Sequence, residues 1–235
     1  EVCTVCNNIV KQGDITAKLA HSFKNGICTV CGSKDSGYKP PKNNPFVDVK
    51  ETDYFNEAVQ WAVNHDPAVT SGTDATHFSP KADCTRAQAV TFLWRSAGCP
   101  TPAAKSCTFT DVKEDAYYYT AVLWAEENDI TKGTSATTFS PDEKVTRAQA
   151  VAFLYRMEGE PEVSKEINPF EDVDANKYYY EAVQWAVDKG ITYGMDEKHF
   201  GPSVICSRAH IVSFIFRYDN AKMRMLYAFS ERLCV

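Results

Sequence analysis

Apolar residues recur along this chain at helical spacing, in paired blocks. Phe55, Ala58, Val59, Ala62 and Val63 form an i, i+3, i+4, i+7, i+8 stripe, the pattern of a helix with one buried face. Tyr118, Ala121, Val122 and Ala125 repeat it, as do Tyr179, Ala182, Val183, Ala186 and Val187. A second block follows each stripe. It holds Val90, Leu93, Trp94 and Ala97, then Val151, Leu154 and Tyr155, then Ile211, Phe214, Ile215 and Tyr218. Between the blocks of each pair lies a polar loop with a glycine (Gly72, Gly133 or Gly194) and a Phe-Ser/Gly-Pro turn, where helix stops. The pattern predicts an all-α fold of three helix pairs.

The pairs are copies of one unit. PFVDVKETDYFNEAVQWAV from Pro45 is repeated as TFTDVKEDAYYYTAVLWAE from Thr108 and PFEDVDANKYYYEAVQWAV from Pro169. Phe46, Phe109 and Phe170 stand 63 and 61 residues apart, and Arg86, Arg147 and Arg208 stand 61 and 61 apart. The two-residue surplus of the first interval is expected in a loop around Pro67. Repeats are expected at 44–99, 107–159 and 168–220, separated by Pro/Lys-rich joints. Residues 1–40 make a Cys-rich module, and residues 221–235 form a tail that can extend the last helix. A two-helix unit of this length cannot bury its own apolar face. The three are therefore expected to pack as a pseudo-threefold helical bundle, second helices against one another.

Composition removes several classes of function. The chain has 235 residues, 44% hydrophobic and 24% charged, a globular balance rather than a disordered one. No run approaches 18 apolar residues, which excludes membrane insertion by a helix. A net charge of −6 gives no global basic field for nucleic acid. The chain opens Glu1-Val2-Cys3 without a basic, apolar leader, as expected of a mature product or an excised fragment. There is no Gly-rich phosphate loop, no Gly-x-Ser-x-Gly and no His-Glu-x-x-His. The notable residues occur three times, whereas catalytic residues usually occur once. The expectation is that this is not an enzyme.

The second helices start with Thr85-Arg86-Ala87-Gln88, Thr146-Arg147-Ala148-Gln149 and Ser207-Arg208-Ala209-His210. The first two are capping boxes. The arginine needs another reason, because a cation in the first turn opposes the helix dipole by roughly 0.3–1 kcal/mol. One reason is a salt bridge to Asp48, Asp111 or Asp172. The other is an anionic ligand, held by the guanidinium fork at the helix N-terminus. The residues alone leave the two equal. The aspartates otherwise cap or brace local backbone, and the glycines supply positive φ. Trp61, Trp124 and Trp185 read as core. The Tyr117–Tyr119 and Tyr178–Tyr180 clusters read as the start of the core stripe, although sugars stack on such rings.

This motif set resembles the S-layer homology (SLH) family: an Asp after an initial Phe, a Trp-bearing helix, a Gly loop, a Phe-x-Pro turn and a Thr-Arg-Ala helix start, in three tandem copies. The resemblance covers residues 45 to about 218. It implies a non-catalytic module that anchors a surface protein to secondary cell-wall polysaccharide, outside a bacterial cell. The ligand it implies is a pyruvylated amino sugar, N-acetylmannosamine, bound in grooves between repeats. Arg86, Arg147 and Arg208 would be central contacts, bordered by Asp48, Asp111, Asp172, Gly72, Gly133 and Gly194. The resemblance tips the arginines towards ligand binding. The alternative is a protein-interaction or oligomerisation module that keeps the fold without sugar binding. His210 breaks the repeat-3 motif, so at least one groove is expected to be weak.

The nine cysteines divide in two. Cys3-x-x-Cys6 and Cys28-x-x-Cys31 have the spacing of a four-thiolate structural zinc site, and NGICTVCG resembles small zinc-ribbon-like modules. Two disulfides are the competing reading outside the cell. Cys99 and Cys107 bracket a short joint and are the expected disulfide pair. Cys84 and Cys206 occupy equivalent repeat positions, where repeat 2 has Val145, and are expected as buried free thiols.

Overall fold

The computed structural model describes residues 23–24, 27–28, 44–163 and 168–232. Its regular elements among the described residues are six helices and one small hairpin, β1 (Phe23–Lys24) and β2 (Ile27–Cys28), antiparallel with Phe23 opposite Cys28. The helices are α1 (Asn56–Asn64), α2 (Arg86–Ser96), α3 (Tyr119–Glu127), α4 (Arg147–Met157), α5 (Tyr180–Asp188) and α6 (Arg208–Arg232). The chain divides into two compact units, Asn44–Asp219 and a second made of Glu1–Asn43 with Asn220–Val235. The first contains every repeat motif. The last helix runs past the repeat as far as Arg232. Cys3, Cys6 and Cys31 lie outside the described residues, and only the backbone of Cys28 is within them.

Capping chemistry sets the second helices. Thr85 and Thr146 accept from the backbone N–H of Gln88 and Gln149, whose side chains accept from the threonine N–H in return. In repeat 3 the imidazole does the glutamine's work. His210 Nδ1 accepts from Ser207 N–H at 3.2 Å, and Ser207 Oγ accepts from His210 N–H at 3.3 Å. The first helices begin one residue after Phe55, Tyr118 and Tyr179, with no side-chain cap. Packing therefore holds them. Ala58, Val59, Ala62 and their counterparts are buried as the stripe predicts. The surplus of the first interval lies in the loop after α1, where His65 Nδ1 sits 2.8 Å from Pro67 O.

Neighbouring repeats interlock. α3 packs on α2, and α5 packs on α4. Trp61 of α1 meets Phe216 of α6 with ring centroids 5.8 Å apart. Ala89 and Leu93, Ala150 and Leu154, and Ile211 and Phe214 bring α2, α4 and α6 together around a void of only about 10 Å³. The strands of chain just before these helices exchange backbone hydrogen bonds in a closed circuit. Cys84 N–H donates to Cys206 O (2.9 Å), Cys206 N–H to Val145 O (2.9 Å), and Val145 N–H to Cys84 O (3.0 Å).

The cysteine expectations fare differently. Cys84 and Cys206 are free and fully buried, and burial pushes each thiol pKa up to about 12. Cys99 and Cys107 are also free, so the expected disulfide is not formed. Cys107 Sγ instead donates to Phe109 O at 3.5 Å, and Cys99 takes a left-handed φ of 56° at the end of α2. Reactivity follows thiolate fraction and access. Under native, non-reducing alkylation followed by peptide mass spectrometry, Cys99 and Cys107 will label and Cys84 and Cys206 will label only after unfolding. Protection of Cys99 and Cys107 that is lifted by reductant would restore the disulfide.

Candidate functional site

Each motif arginine sits at a boundary between repeats. Arg86 Nε donates to Phe139 O of repeat 2 (2.8 Å), Arg147 Nε to Phe200 O of repeat 3 (2.7 Å), and Arg208 Nε to Phe78 O of repeat 1 (2.8 Å). The guanidinium groups lie over aromatic rings: Arg147 is 4.9 Å from the Phe200 centroid and 5.3 Å from that of Phe214. Arg86 and Arg208 have the same two-ring environment. All three residues are buried, at 2%, 6% and 4% exposure. Burial lowers their pKa values, Glu143 opposing it at Arg86 and Cys206 at Arg147. An arginine still keeps its charge.

The aspartates do not pair with the arginines as the salt-bridge reading expected. Asp111 accepts from Phe139 N–H (2.8 Å) and Ser140 N–H (2.7 Å). Asp48 holds Phe78 and Ser79 in the same way, and Asp172 holds Phe200 and Gly201. The two motifs thus meet on one residue. The Phe of the Phe-x-Pro turn has its N–H taken by the aspartate of its own repeat and its C=O by the arginine of another. These phenylalanines are fully buried, so both backbone groups need those partners.

Bonding of the guanidinium is incomplete. Arg147 Nη2 reaches Thr192 Oγ1 at 3.4 Å. Arg86 Nη2 and Arg208 Nη2 are buried with no hydrogen-bond partner among the described residues. A buried charged donor left unpaired is costly.

The glycines serve the frame. Gly133 has φ +70°, and a Cβ there would sit 2.6 Å from Phe109 Cε1 and 2.5 Å from Thr138 O. Gly194 repeats this against Phe170 at 2.4 Å. Their N–H groups donate to Thr131 and Thr192 Oγ1.

A cavity of about 320 Å³ opens beside Arg147. All three repeats build it. Repeat 2 supplies Arg147, repeat 1 supplies Tyr54, and repeat 3 supplies Thr192, Gly194, Met195, His210, Ser213 and Arg217 among others. Asp172 is set just behind this wall, on the backbone of Phe200. Tyr54, Arg217, Thr192 and Ser213 were not among the residues expected from sequence. Three of them recur: Tyr54/Tyr117/Tyr178, Thr70/Thr131/Thr192 and Arg95/Arg156/Arg217. The tyrosines are 64%, 65% and 61% exposed, so their recurrence is not a core requirement. Trp124 and Trp185 are core, whereas Trp61 is half-buried.

A frame of helix pairs whose repeat boundaries each hold a buried arginine between two aromatic rings defines a tandem-repeat module. The S-layer homology domain model matches residues 45–90, 108–151 and 169–211, and the chain belongs to that family. A surface-layer 125 kDa protein of Lysinibacillus sphaericus is 33% identical over 151 residues, 63% of this chain and 12% of that protein. An endoglucanase of a Bacillus species is 32% identical over 165 residues, 67% of this chain and 17% of that protein. A cellulosome-anchoring protein of Acetivibrio thermocellus is 27% identical over 150 residues, 60% of this chain and 33% of that protein. The chain thus spans a third or less of each of these relatives. Family membership places the chain at the cell surface, with the matched repeats as a cell-wall anchoring module. No helix among the described residues is long and apolar enough to cross a membrane.

His210 makes the cap of α6 depend on its protonation state. Its Nδ1 must stay unprotonated to accept from Ser207 N–H. Burial, and then the charge of Arg147, push its pKa below the usual imidazole value. A depressed pKa means the unfolded chain binds the proton more readily. The stability this contributes is present above about pH 6.5 and is lost as pH falls through the folded value. Thermal melts of wild type and His210→Gln will agree at pH 7, and wild type will fall further by pH 5. Parallel losses would show that the imidazole is not held in this way.

Proposed function

We propose that this chain binds secondary cell-wall polysaccharide through its inter-repeat grooves, by reading the carboxylate of a pyruvylated amino sugar. The observation that carries the proposal is the incomplete bonding of three buried arginines at equivalent boundaries. Only Nε of each is held firmly by protein, which leaves the outer face of the fork for a carboxylate oxygen. Arg147 lines a cavity large enough for a sugar ring. Tyr54 offers that ring an apolar face, and Thr192 with Gly194 offers polar backbone and hydroxyl groups. In this reading Asp48, Asp111 and Asp172 position the turn under the ligand, and Gly72, Gly133 and Gly194 shape the groove wall.

The pseudo-threefold bundle belongs to the same proposal. It is supported by the circuit through Cys84, Cys206 and Val145, and by arginine contacts that run from repeat 1 to 2, 2 to 3 and 3 to 1. We also propose repeats at 44–99, 107–159 and 168–220, a module at 1–40 and a tail at 221–235. On spacing alone, Cys3, Cys6, Cys28 and Cys31 are proposed to hold a structural zinc. Metal analysis of protein purified without chelator tests this, and a metal-free product removes it.

The binding test is co-sedimentation with purified sacculi, with and without mild acid stripping of secondary polymer. Wild type will pellet with intact sacculi and stay soluble with stripped ones. Tyr54→Ala changes an exposed rim residue and will weaken pelleting about threefold to tenfold with an unchanged melting temperature. Arg147→Lys keeps the charge but loses the fork, and will weaken it more. Absence of pelleting with intact, pyruvylated sacculi would favour an interaction module in which the arginines are braces.

A further inference from the structure

The wall of the cavity beside Arg147 contains two polar groups that the frame leaves unused, a serine hydroxyl and an imidazole N–H, a combination that repeats 1 and 2 lack. Ser213 Oγ is the first. Ser213 is 5% exposed, lines the cavity, and its hydroxyl has no partner among the described residues. A helical serine or threonine can satisfy its hydroxyl on the carbonyl four residues back. Thr91, the equivalent residue of repeat 1, does so on Ala87 O at 2.7 Å. Repeat 2 has Ala152 at this position, with no hydroxyl.

The second group is the outer edge of His210. Since Nδ1 accepts from Ser207 N–H, the neutral ring carries its proton on Nε2. That N–H is a donor in the cavity wall. Gln88 and Gln149 occupy this capping position in the other repeats. The imidazole packs against the Tyr54 ring at 6.4 Å in a stacked arrangement. The charged and titratable groups around it are Arg147 on α4, Tyr54 ahead of α1 and Arg217 on its own helix.

The rest of repeat 3 is altered on the same wall. Repeats 1 and 2 carry a hydroxyl pair, Thr73 with Ser79 at 2.7 Å and Thr134 with Ser140 at 2.6 Å. Repeat 3 has Met195 and Gly201 instead, and a Cβ on Gly201 would meet Met195 Sδ at 2.3 Å. Val204 stands where repeat 2 has Glu143, a residue whose charge acts on Arg86. Against repeat 2 this wall has lost an acid, against both other repeats it has lost a hydroxyl pair, and it has gained a free hydroxyl and a ring-held N–H where they carry a flexible amide.

We propose that Ser213 Oγ and His210 Nε2 form a second polar subsite, present only in the Arg147 groove, that takes an uncharged oxygen of an acidic sugar. The oxygen is the acetamido carbonyl or a ring hydroxyl, placed by the carboxylate on Arg147. His210 donates to it, and Ser213 donates or accepts beside it. The subsite makes this groove the tightest of the three, so the departure of repeat 3 from the motif is a gain in selectivity. The inference rests on the sugar-binding reading above.

The test is calorimetric titration of the full chain at pH 7.5 with the methyl glycoside of pyruvylated N-acetylmannosamine, for wild type, His210→Gln, Ser213→Ala and Tyr54→Ala. His210→Gln restores the capping residue of the other repeats, so its melting temperature at this pH reports that the fold is kept. The expected result is a tightest site weakened about threefold to tenfold by Ser213→Ala, which removes the hydroxyl, and about threefold by His210→Gln, which exchanges the fixed ring N–H for a flexible amide. Nitrogen-15 spectra of the histidines give a second reading: His210 in the Nε2–H form, with an Nε2 resonance that moves on adding the glycoside. Unchanged affinity in both variants, with weakening by Tyr54→Ala, overturns the subsite and leaves the sugar reading intact. A wild type that binds no glycoside overturns both.

Discussion

The closed circuit of backbone hydrogen bonds through Cys84, Cys206 and Val145 is the constraint on which the rest depends. Each of these residues lies two positions before a motif arginine. Fixing the three strands against one another fixes where α2, α4 and α6 begin, and hence where each guanidinium falls. Further bonds extend the register. Arg86 N–H donates to Glu143 O, Arg147 N–H to Val204 O, and Arg208 N–H to Ala82 O. Such bonds contribute only about 1 kcal/mol each. Their value is geometric: they make every boundary between repeats the same boundary. The fully buried side chains at the centre, two thiols and a valine, need only be small and apolar.

On that frame the arginines carry two burdens. As braces they span repeats, donating to a carbonyl and lying between two aromatic rings, contacts worth about 0.5–2 kcal/mol each. As buried charges they are expensive, and well-packed apolar residues would often do the bracing at less cost. Retaining a charge at all three boundaries, with part of each fork unsatisfied or weakly satisfied, is the physical argument for an anionic partner. Because fold and proposed binding share one side chain, removing it confounds them. The exposed tyrosines and the repeat-3 wall separate the two.

Much of this was legible in the sequence. Stripe spacing located all six helices, and the capping boxes located the starts of α2 and α4 to the residue. Contacts that depend on closing the ring were not legible. Arg208 meets Phe78 across 130 positions, and no local pattern announces which repeat an arginine will face. The expected Arg–Asp ion pair gave way to a shared phenylalanine peptide, because both motifs converge on the turn rather than on each other. The tyrosine recurrence was visible but resembled the start of a core stripe, and Tyr54 directly precedes Phe55, the first residue of that stripe. The Cys99–Cys107 pairing rested on proximity in sequence, which does not orient two Cβ vectors.

The same frame explains how one repeat can diverge without loss of fold. The groups that hold the register are backbone atoms, the arginine Nε, the aspartate and the buried Phe. None of them changes between repeats. The residues that differ in repeat 3 sit on the wall and change in compensated sets: Met195 fills the space that Gly201 vacates, and His210 takes over the cap that a glutamine provides elsewhere. A scaffold of repeats that keep the same backbone and buried groups leaves the groove linings free to specialise. Three boundaries with one shared cation can then differ in everything that surrounds it.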